Sequence, residues 1–584
     1  MAGYSLRPSQ FVFTFGVGSI IETSSGPRII PDFENWGQIF YRGKELNVSD
    51  FQIDVHLHKD ILDGNIFSIP TNVLLNKKES EGIYKTFTFP DWGLCVEHGY
   101  LYEFDDNDQT RCPECKRRRT FDIKRRQGIR FVRACPAGHL DDIDWRKMIE
   151  HTSSCTSKYY HWNDRGGSLD DLRIVCTCKR ETTLQDVYQK NKWCTGRFPE
   201  TTGGNGKCNE QSQVTLRGSS MLRIPKLLPI IAIPGPQSKH HRILSKNILT
   251  NILISDDDWT KAKLFKRIST ANKNSPGIIS DEDLNTIENT EDGILVAAIS
   301  DVINNLGNAP STLQERRLYE FRSLKNAARN GHPIDLNTDP HFSVPKRGIR
   351  SDGSSKGAIK LETKKLRVSP IDKLKVITVQ KGYQRLGTEN PDNKGIKHPL
   401  VEKFYVHGNE KWYPGIEQIG EGIFIDDHDE SLNIVSKEWN KRFLAMGKSI
   451  EYHPVFVWWH SLAHRLISAI SLHSGYSSAS IREVVYTEVE PSGNVKGGIL
   501  LYTSQPGGDG SLGGMVSKVP KFERVVEQAL DDLEFCSNDP LCYEQNVTDV
   551  GDSGSACYAC LHMSETSCSY FNRFLDRRIL LENL

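Results

Sequence analysis

GSACYACLHMSETSCSYFNRFLDRRIL, residues 554–580, decides how the end of this chain folds. Cys557 and Cys560 stand two residues apart, a spacing that lets a tight turn aim two thiolates at one tetrahedral ion. Cys568 follows and Cys536 and Cys542 precede, so five cysteines crowd the last fifty residues. Packing alone does not ask for that density, and Zn²⁺ is the ion that such a sulfur set suits. Cys557 and Cys560 are the firm half of this site, Cys568 and Cys536 the next choices, and Cys542 the alternative.

The fourteen cysteines all fall between residues 95 and 208 or between 536 and 568. Disulfide frameworks belong to small, cysteine-dense secreted domains, whereas clustered cysteines in a long chain point to metal. A first site reads as Cys95-x2-His98, thirteen residues, then Cys112-x2-Cys115, the two knuckles of a zinc ribbon. Cys135 and His139 compete for places in it; packing of a turn against Trp145 is the reading preferred for that pair. A second site would use Cys176, Cys178, Cys194 and Cys208, with Cys155 as a spare. About three structural Zn²⁺ ions are therefore expected, each closed by protein ligands with no position left for substrate.

A chain of 584 residues exceeds one hydrophobic core and divides into several domains. Hydrophobic residues make up 37% and charged residues 25%, and no apolar run approaches the roughly 18–20 residues that span a bilayer. With no secretory signal pattern at its N-terminus, the chain reads as cytoplasmic, with no membrane partner. Net charge is zero, yet the signs are segregated: residues 111–133 hold ten Arg/Lys against two acids, residues 345–385 twelve against three, and residues 280–301 seven acids and no base. Such tracts can follow a phosphate backbone or simply form solvated faces. Within the first, Lys116, Arg117, Arg118, Arg119, Lys124, Arg125 and Arg126 are the candidate DNA contacts.

The class predicted is α+β and multidomain, with inserted zinc modules. Short apolar stretches between turn residues predict a β-rich module over 1–90. A zinc ribbon with its basic tract follows at 91–140 and a second cysteine-rich zinc module at 141–235. Apolar residues at three- and four-residue spacings predict a helical insertion, running into a Gly/Pro/Ser linker, over 236–370. Residues 371–450 read as β-rich and 451–584 as the zinc-stapled end, with a buried helix at HPVFVWWHSLAHRLISAISLHSGY.

Motifs that would mark an enzyme fall short. RFLAMGKS, residues 442–449, has Arg442 where a phosphate-binding loop needs its first glycine. GIFIDD, residues 422–427, means little without that loop. His460 and His464 share a helical face, but no glutamate follows the first, and packing inside an aromatic-rich helix is preferred. Ser511 lacks the glycine two residues before it that a nucleophile elbow requires. The glycine-rich run after LLYTSQP, residues 507–514, is equally a phosphate-approaching loop or a tight turn. The rival reading, a metal-dependent nuclease or phosphodiesterase, would draw on His460, His464, Asp426 and Asp427; a third is a purely structural scaffold.

RPSQFVFTFGVGSIIE near the start, RFVRACPAGHLDDIDW, CTGRFP followed by LRGSSMLRIP, IDKLKVITVQKGYQRL, GEGIFI, HSLAHRLISAISLHSGYSSASIRE, LLYTSQPGGDGSLGGM and CYACL…ETSC…NRFLDR, in this order, resemble the DrmB family of the DISARM antiphage defence system. The last two also resemble the zinc-binding domain that ends MrfA-type DNA-repair helicases, so that 451–584 reads as MrfA-like. The resemblance implies a DrmA-type helicase as partner, with the phospholipase-D-like DrmC and a DNA methyltransferase as further members of the system. It supplies no catalytic residue. Taken with the basic tracts, it implies a non-enzymatic subunit that engages phage-derived DNA, as single strand or duplex end, and takes no small-molecule substrate.

Overall fold

The computed structural model describes residues 5–583 except 24–25, 37–39, 42–43, 54–61, 79–80, 105–111, 119–125, 153, 165, 167, 191–192, 233–242, 245–246, 256–258, 275–278, 291, 293–294, 297–298, 300–301, 303–312, 331–357, 362–363, 387–398, 429, 447–452, 507–513, 548–551 and 565–566. The chain is α+β and multidomain. It separates into two compact units: Met1–Ile53, Gly64–Pro229 and Thr378–Ile416 form the first, and Asp54–Asp63, Ile230–Ile377 and Glu417–Leu584 the second. Among the described residues, no helix is long and apolar enough to cross a membrane.

A six-stranded antiparallel sheet dominates the first unit, in the order Glu181–Thr183, Leu172–Cys176, Tyr159–Asp164, Tyr100–Glu103, Trp92–Cys95 and Arg126–Gly128. Alternation explains its face: in Leu172–Cys176, Ile174 and Cys176 point inward while Arg173 is exposed. Ile174 packs with Leu101, Ile143, Trp145, Tyr160 and Val187. A smaller sheet joins Leu140–Asp141, Phe131–Ala134 and Gln213–Leu216, setting Ala134 opposite Gln213. Phe11, Phe33, Trp36 and Phe67 form a separate aromatic core.

In the second unit, the 21-residue helix Pro454–Ser474 is apolar almost all round, and such a helix must be buried rather than laid on a surface. The His453 side chain accepts from the Val455 N–H, Pro454 occupies the first turn, and Gly475 at φ 78° ends the helix in the left-handed region where glycine carries no Cβ penalty. Its core partners come from the hairpin Arg482–Val489/Val495–Pro506 and from the helix Phe522–Glu534, through Ile499, Leu501, Val526 and Ala529. Helices Asn247–Ile254, Lys261–Asn274 and Asp281–Asn289 share a core built on Leu249, Leu253, Trp259, Leu264 and Ile287.

Candidate metal centres

Cysteine and histidine side chains converge in tight groups. A tetrahedral Zn²⁺ with Zn–S near 2.3 Å and Zn–N near 2.0–2.1 Å sets its ligand atoms about 3.8 Å (S···S) and about 3.5 Å (S···N) apart. At the first group, Cys95 Sγ lies 3.5 Å from His98 Nδ1 and 3.7 Å from Cys115 Sγ, while Cys112 and Cys115 Sγ lie 3.7 and 3.4 Å from the same nitrogen. These separations match those of four ligands on one tetrahedral ion. Locally, Cys95 ends a strand, the turn returns through Gly99 at φ 63°, whose N–H bonds Cys95 O at 2.8 Å, and Cys115 sits in the helix Pro113–Arg118. Burial beside the neighbouring thiols pushes the Cys115 thiol up to about 12, so an ion binding here displaces protons.

Cys176, Cys178, Cys194 and Cys208, expected on one ion, are divided between two groups. Cys194 and Cys208 join Cys135 and His139: Cys135 Sγ is 3.4 Å from Cys194 Sγ, 4.0 Å from Cys208 Sγ and 3.3 Å from His139 Nδ1. The cause is sheet register. Cys135 follows the strand Phe131–Ala134, Ala134 faces Gln213, and Trp193 bridges to Gln211, which brings the chain at 135, 194 and 208 to one place. Cys135 and His139 are thus drawn to the cysteines rather than serving only to pack a turn. Cys176 and Cys178 join His151 and Cys155, with Cys155 Sγ 3.6 Å from Cys176 Sγ and Cys178 Sγ 3.5 Å from His151 Nδ1. Tyr160 pairs with Cys176, so the chain just before Tyr159 is carried over the Cys176–Cys178 turn. The His151 ring, helped by the Arg180 backbone, lowers the Cys178 thiol to about 6.

The C-terminal group is Cys536, Cys542, Cys557 and Cys560. Sulfur separations are 3.4 Å for Cys536–Cys557 and 3.7 Å for both Cys542–Cys560 and Cys557–Cys560. Cys542, the alternative on sequence grounds, takes the place given to Cys568. Arg577 holds the frame: it donates to Leu533 O at 3.1 Å and to Asp539 Oδ1 at 2.6 Å, while Asp539 Oδ2 accepts from the Cys536 N–H at 3.1 Å. Burial would raise the Cys557 thiol, but hydrogen bonds from the Ala559 backbone and neighbouring side chains bring it down to about 7. Cys568 instead approaches His460, His464 and Glu483, a buried set that spacing along the chain did not reveal.

Residues 462–561 match the MrfA Zn-binding domain, and this span contains all four cysteines of the C-terminal group. The sequence is 27% identical to the DISARM protein DrmB of Bacillus paralicheniformis over 579 residues, 91% of this chain and 95% of that protein. The chain is similar to DrmB over nearly its full length. Residues 7–224 match a domain of unknown function, DUF8724, and hold the first three metal-site groups. A crystal structure of the DUF1998 helicase MrfA bound to DNA aligns over 42% of this chain and 25% of that one, at 9% identity and a TM-score of 0.21. A zinc-binding domain and several Cys/His groups of zinc-like geometry together make Zn²⁺ the ion that fits.

Of the basic tract, Lys116 is exposed, Arg117 and Arg118 lie in the helix Pro113–Arg118 beside Cys115, and Arg126 opens the strand Arg126–Gly128 opposite Cys95. Arg119, Lys124 and Arg125 fall outside the described residues, as do Gly507–Gly513 of the glycine-rich run and Gly447–Ser449 of RFLAMGKS. The described part of that last motif is the end of the helix Lys437–Ala445, with Arg442 bound to Asp552. Asp426 and Asp427 are fully buried: Arg367 grips Asp426 through two bonds of 2.9 and 2.7 Å, and Lys325 pairs with Asp427 at 2.9 Å.

Proposed function

We propose that this chain is a non-catalytic, DNA-engaging accessory subunit of a DNA helicase in an antiphage complex of the DISARM kind. The observation that carries the proposal is the similarity to DrmB along 91% of the chain combined with an MrfA Zn-binding domain at residues 462–561. Its partner is then a DrmA-type helicase, and its ligand phage-derived DNA, held as a single strand or a duplex end. Zinc shapes the protein rather than performing chemistry, since four donors around each ion leave no position for water or substrate. The basic tract starts in the same short helix as Cys115, so an ion at that group anchors the helix that carries Lys116, Arg117 and Arg118. Contacts of that type go to phosphates, which fixes position without reading sequence.

Two features support a non-catalytic role, the first against an ATPase and the second against the nuclease rival. RFLA forms the end of a helix, whereas a phosphate-binding loop follows a strand and precedes a helix. Asp426 and Asp427, the carboxylates a metal nuclease would use, are held in buried ion pairs and are not grouped with His460 and His464. Purified chain incubated with ATP, DNA and Mg²⁺ or Mn²⁺ is expected to release neither phosphate nor DNA fragments, and to co-purify with its helicase when the two are co-expressed. DNA-stimulated ATP turnover lost on Lys448→Ala, or metal-dependent DNA cleavage, would overturn the proposal.

A further inference from the structure

His460 and His464 lie one turn apart on the helix Pro454–Ser474, Glu483 is in the strand Arg482–Val489, and Cys568 comes from the chain end. All four are buried, at 0, 1, 1 and 3% exposure. His460 Nε2 is 2.8 Å from Glu483 Oε1, 3.1 Å from His464 Nε2 and 3.3 Å from Cys568 Sγ, and His464 Nε2 is 3.2 Å from the same carboxylate oxygen.

Hydrogen bookkeeping decides what can sit among these atoms. His460 Nδ1 faces Phe574 O at 3.2 Å and His464 Nδ1 faces Leu561 O at 2.7 Å. A carbonyl oxygen only accepts, so each Nδ1 carries the ring hydrogen and each neutral ring presents a bare Nε2 lone pair inward. Two lone pairs and a carboxylate oxygen then face one another, with the Cys568 thiol proton the only hydrogen the four groups bring. Charging one ring leaves the other lone pair against the carboxylate. Charging both sets two cations 3.1 Å apart in a site sealed from water, where desolvation is costly. One divalent ion removes the conflict, because with a thiolate, a carboxylate and two neutral imidazoles the centre is electrically neutral.

The sulfur shows a second, independent sign. Cys568 Sγ accepts from the backbone N–H of Tyr570 at 3.3 Å and of Asn572 at 3.4 Å. The same contact from the residue two ahead occurs at Cys194 with Gly196 (3.3 Å) and at Cys536 with Asn538 (3.5 Å), both in the cysteine groups described above. Backbone hydrogens aimed at a sulfur stabilise a thiolate, and the carbonyls that fix both rings are the outer-shell partners that metal-bound histidines use.

We infer that His460, His464, Glu483 and Cys568 form a further metal centre, separate from the four cysteine-rich groups, that takes one divalent first-row ion of Zn²⁺ type. His460 and Cys568 both lie outside the residues 462–561 that match the MrfA Zn-binding domain, so the centre is not the four-cysteine site of that match. Its role is structural, locking the buried helix, the strand and the chain end together.

The test uses the full chain purified without added metal. Mass spectrometry of all first-row metals should give five ions per chain, one for each group, and Cys568→Ala and Glu483→Gln should each lower the total by one while the remaining four stay. Glu483→Gln keeps the side chain's shape, so a hydrogen-bonded cluster without metal predicts an unchanged count and overturns the inference. Should either variant fail to fold, crystals of the wild type measured at the metal's absorption edge decide. An anomalous peak about 2.0–2.3 Å from the four ligand atoms supports the centre. Peaks at the cysteine-rich groups with none here overturn it and leave the other sites intact.

Discussion

Replacing Cys560 with serine probes the C-terminal centre where the structure is most specific about the consequence. Cys560 Sγ is 3.7 Å from both Cys542 Sγ and Cys557 Sγ, and Cys536, Cys542 and Cys560 belong to the core that packs Leu462, Leu466, Val526 and Ala529. The ion therefore crosslinks segments 18 residues apart inside the core. Structural zinc contributes about 10–16 kcal/mol of apparent binding energy in small zinc domains, and that energy is folding energy. An equal share for one of four ligands is about 2.5–4 kcal/mol, or roughly a 60- to 700-fold loss of zinc affinity at about 1.4 kcal/mol per factor of ten. At about 2–4 °C per kcal/mol, the Tm of the C-terminal part should fall by roughly 5–16 °C. Thermal unfolding followed by circular dichroism, with zinc measured on the same samples, is the assay, and a chelator should lower the wild-type Tm in the same direction. Unchanged zinc content and an unchanged Tm in Cys560→Ser would refute the reasoning.

Further outcomes follow from other parts of the molecule. Cys135→Ser and Cys176→Ser should each remove one ion and together two, because they belong to separate groups; a double variant that lacks only one ion would return them to a single site. Lys325→Met removes the cation that meets the buried Asp427 carboxylate at 2.9 Å while leaving the Gly497 N–H at 2.8 Å, and should cost about 3–5 kcal/mol in denaturant unfolding; a loss below about 1 kcal/mol would contradict the burial of that pair. Changing Arg117, Arg118, Arg119, Arg125 and Arg126 together to alanine should weaken DNA binding by the helicase complex and flatten its slope of log affinity against log salt by up to about one unit per lost contact. An unchanged slope in a folded, metal-loaded variant would make the tract a solvated face.

Short-range spacing is what the sequence exposes best. Cys95, His98, Cys112 and Cys115 converge because two-residue gaps fit one turn and the intervening chain is a short excursion, and Cys557-x2-Cys560 is read the same way. The memberships of the Cys135 and Cys176 groups depend on strand pairing, which spacing does not contain. Cys135 reaches Cys194 and Cys208 only through the register of Phe131–Ala134 on Gln213–Leu216, and Cys155 reaches Cys176 only because Tyr159–Asp164 lies beside Leu172–Cys176. One local signal was available: Cys135-x3-His139 and His151-x3-Cys155 repeat the same offset in opposite order. For His460 and His464, no glutamate follows the first in sequence; Glu483 arrives from the following strand and Cys568 from residues near the end of the sequence. The broad class was legible from composition and periodicity. The helix Pro454–Ser474 announced itself by an unbroken apolar surface, while the two compact units could not be read from a linear pass because each gathers three separate stretches of chain.

The central claim, that this chain increases a helicase's hold on DNA, is tested most directly by titrating fluorescent single-stranded and blunt duplex DNA with the partner helicase alone and with the helicase–subunit complex across a salt series. The account predicts tighter binding by the complex and a steeper dependence of log affinity on log salt, independent of DNA sequence. Equal affinity and equal slope with and without the subunit, in a complex shown to be intact and metal-loaded, would contradict it.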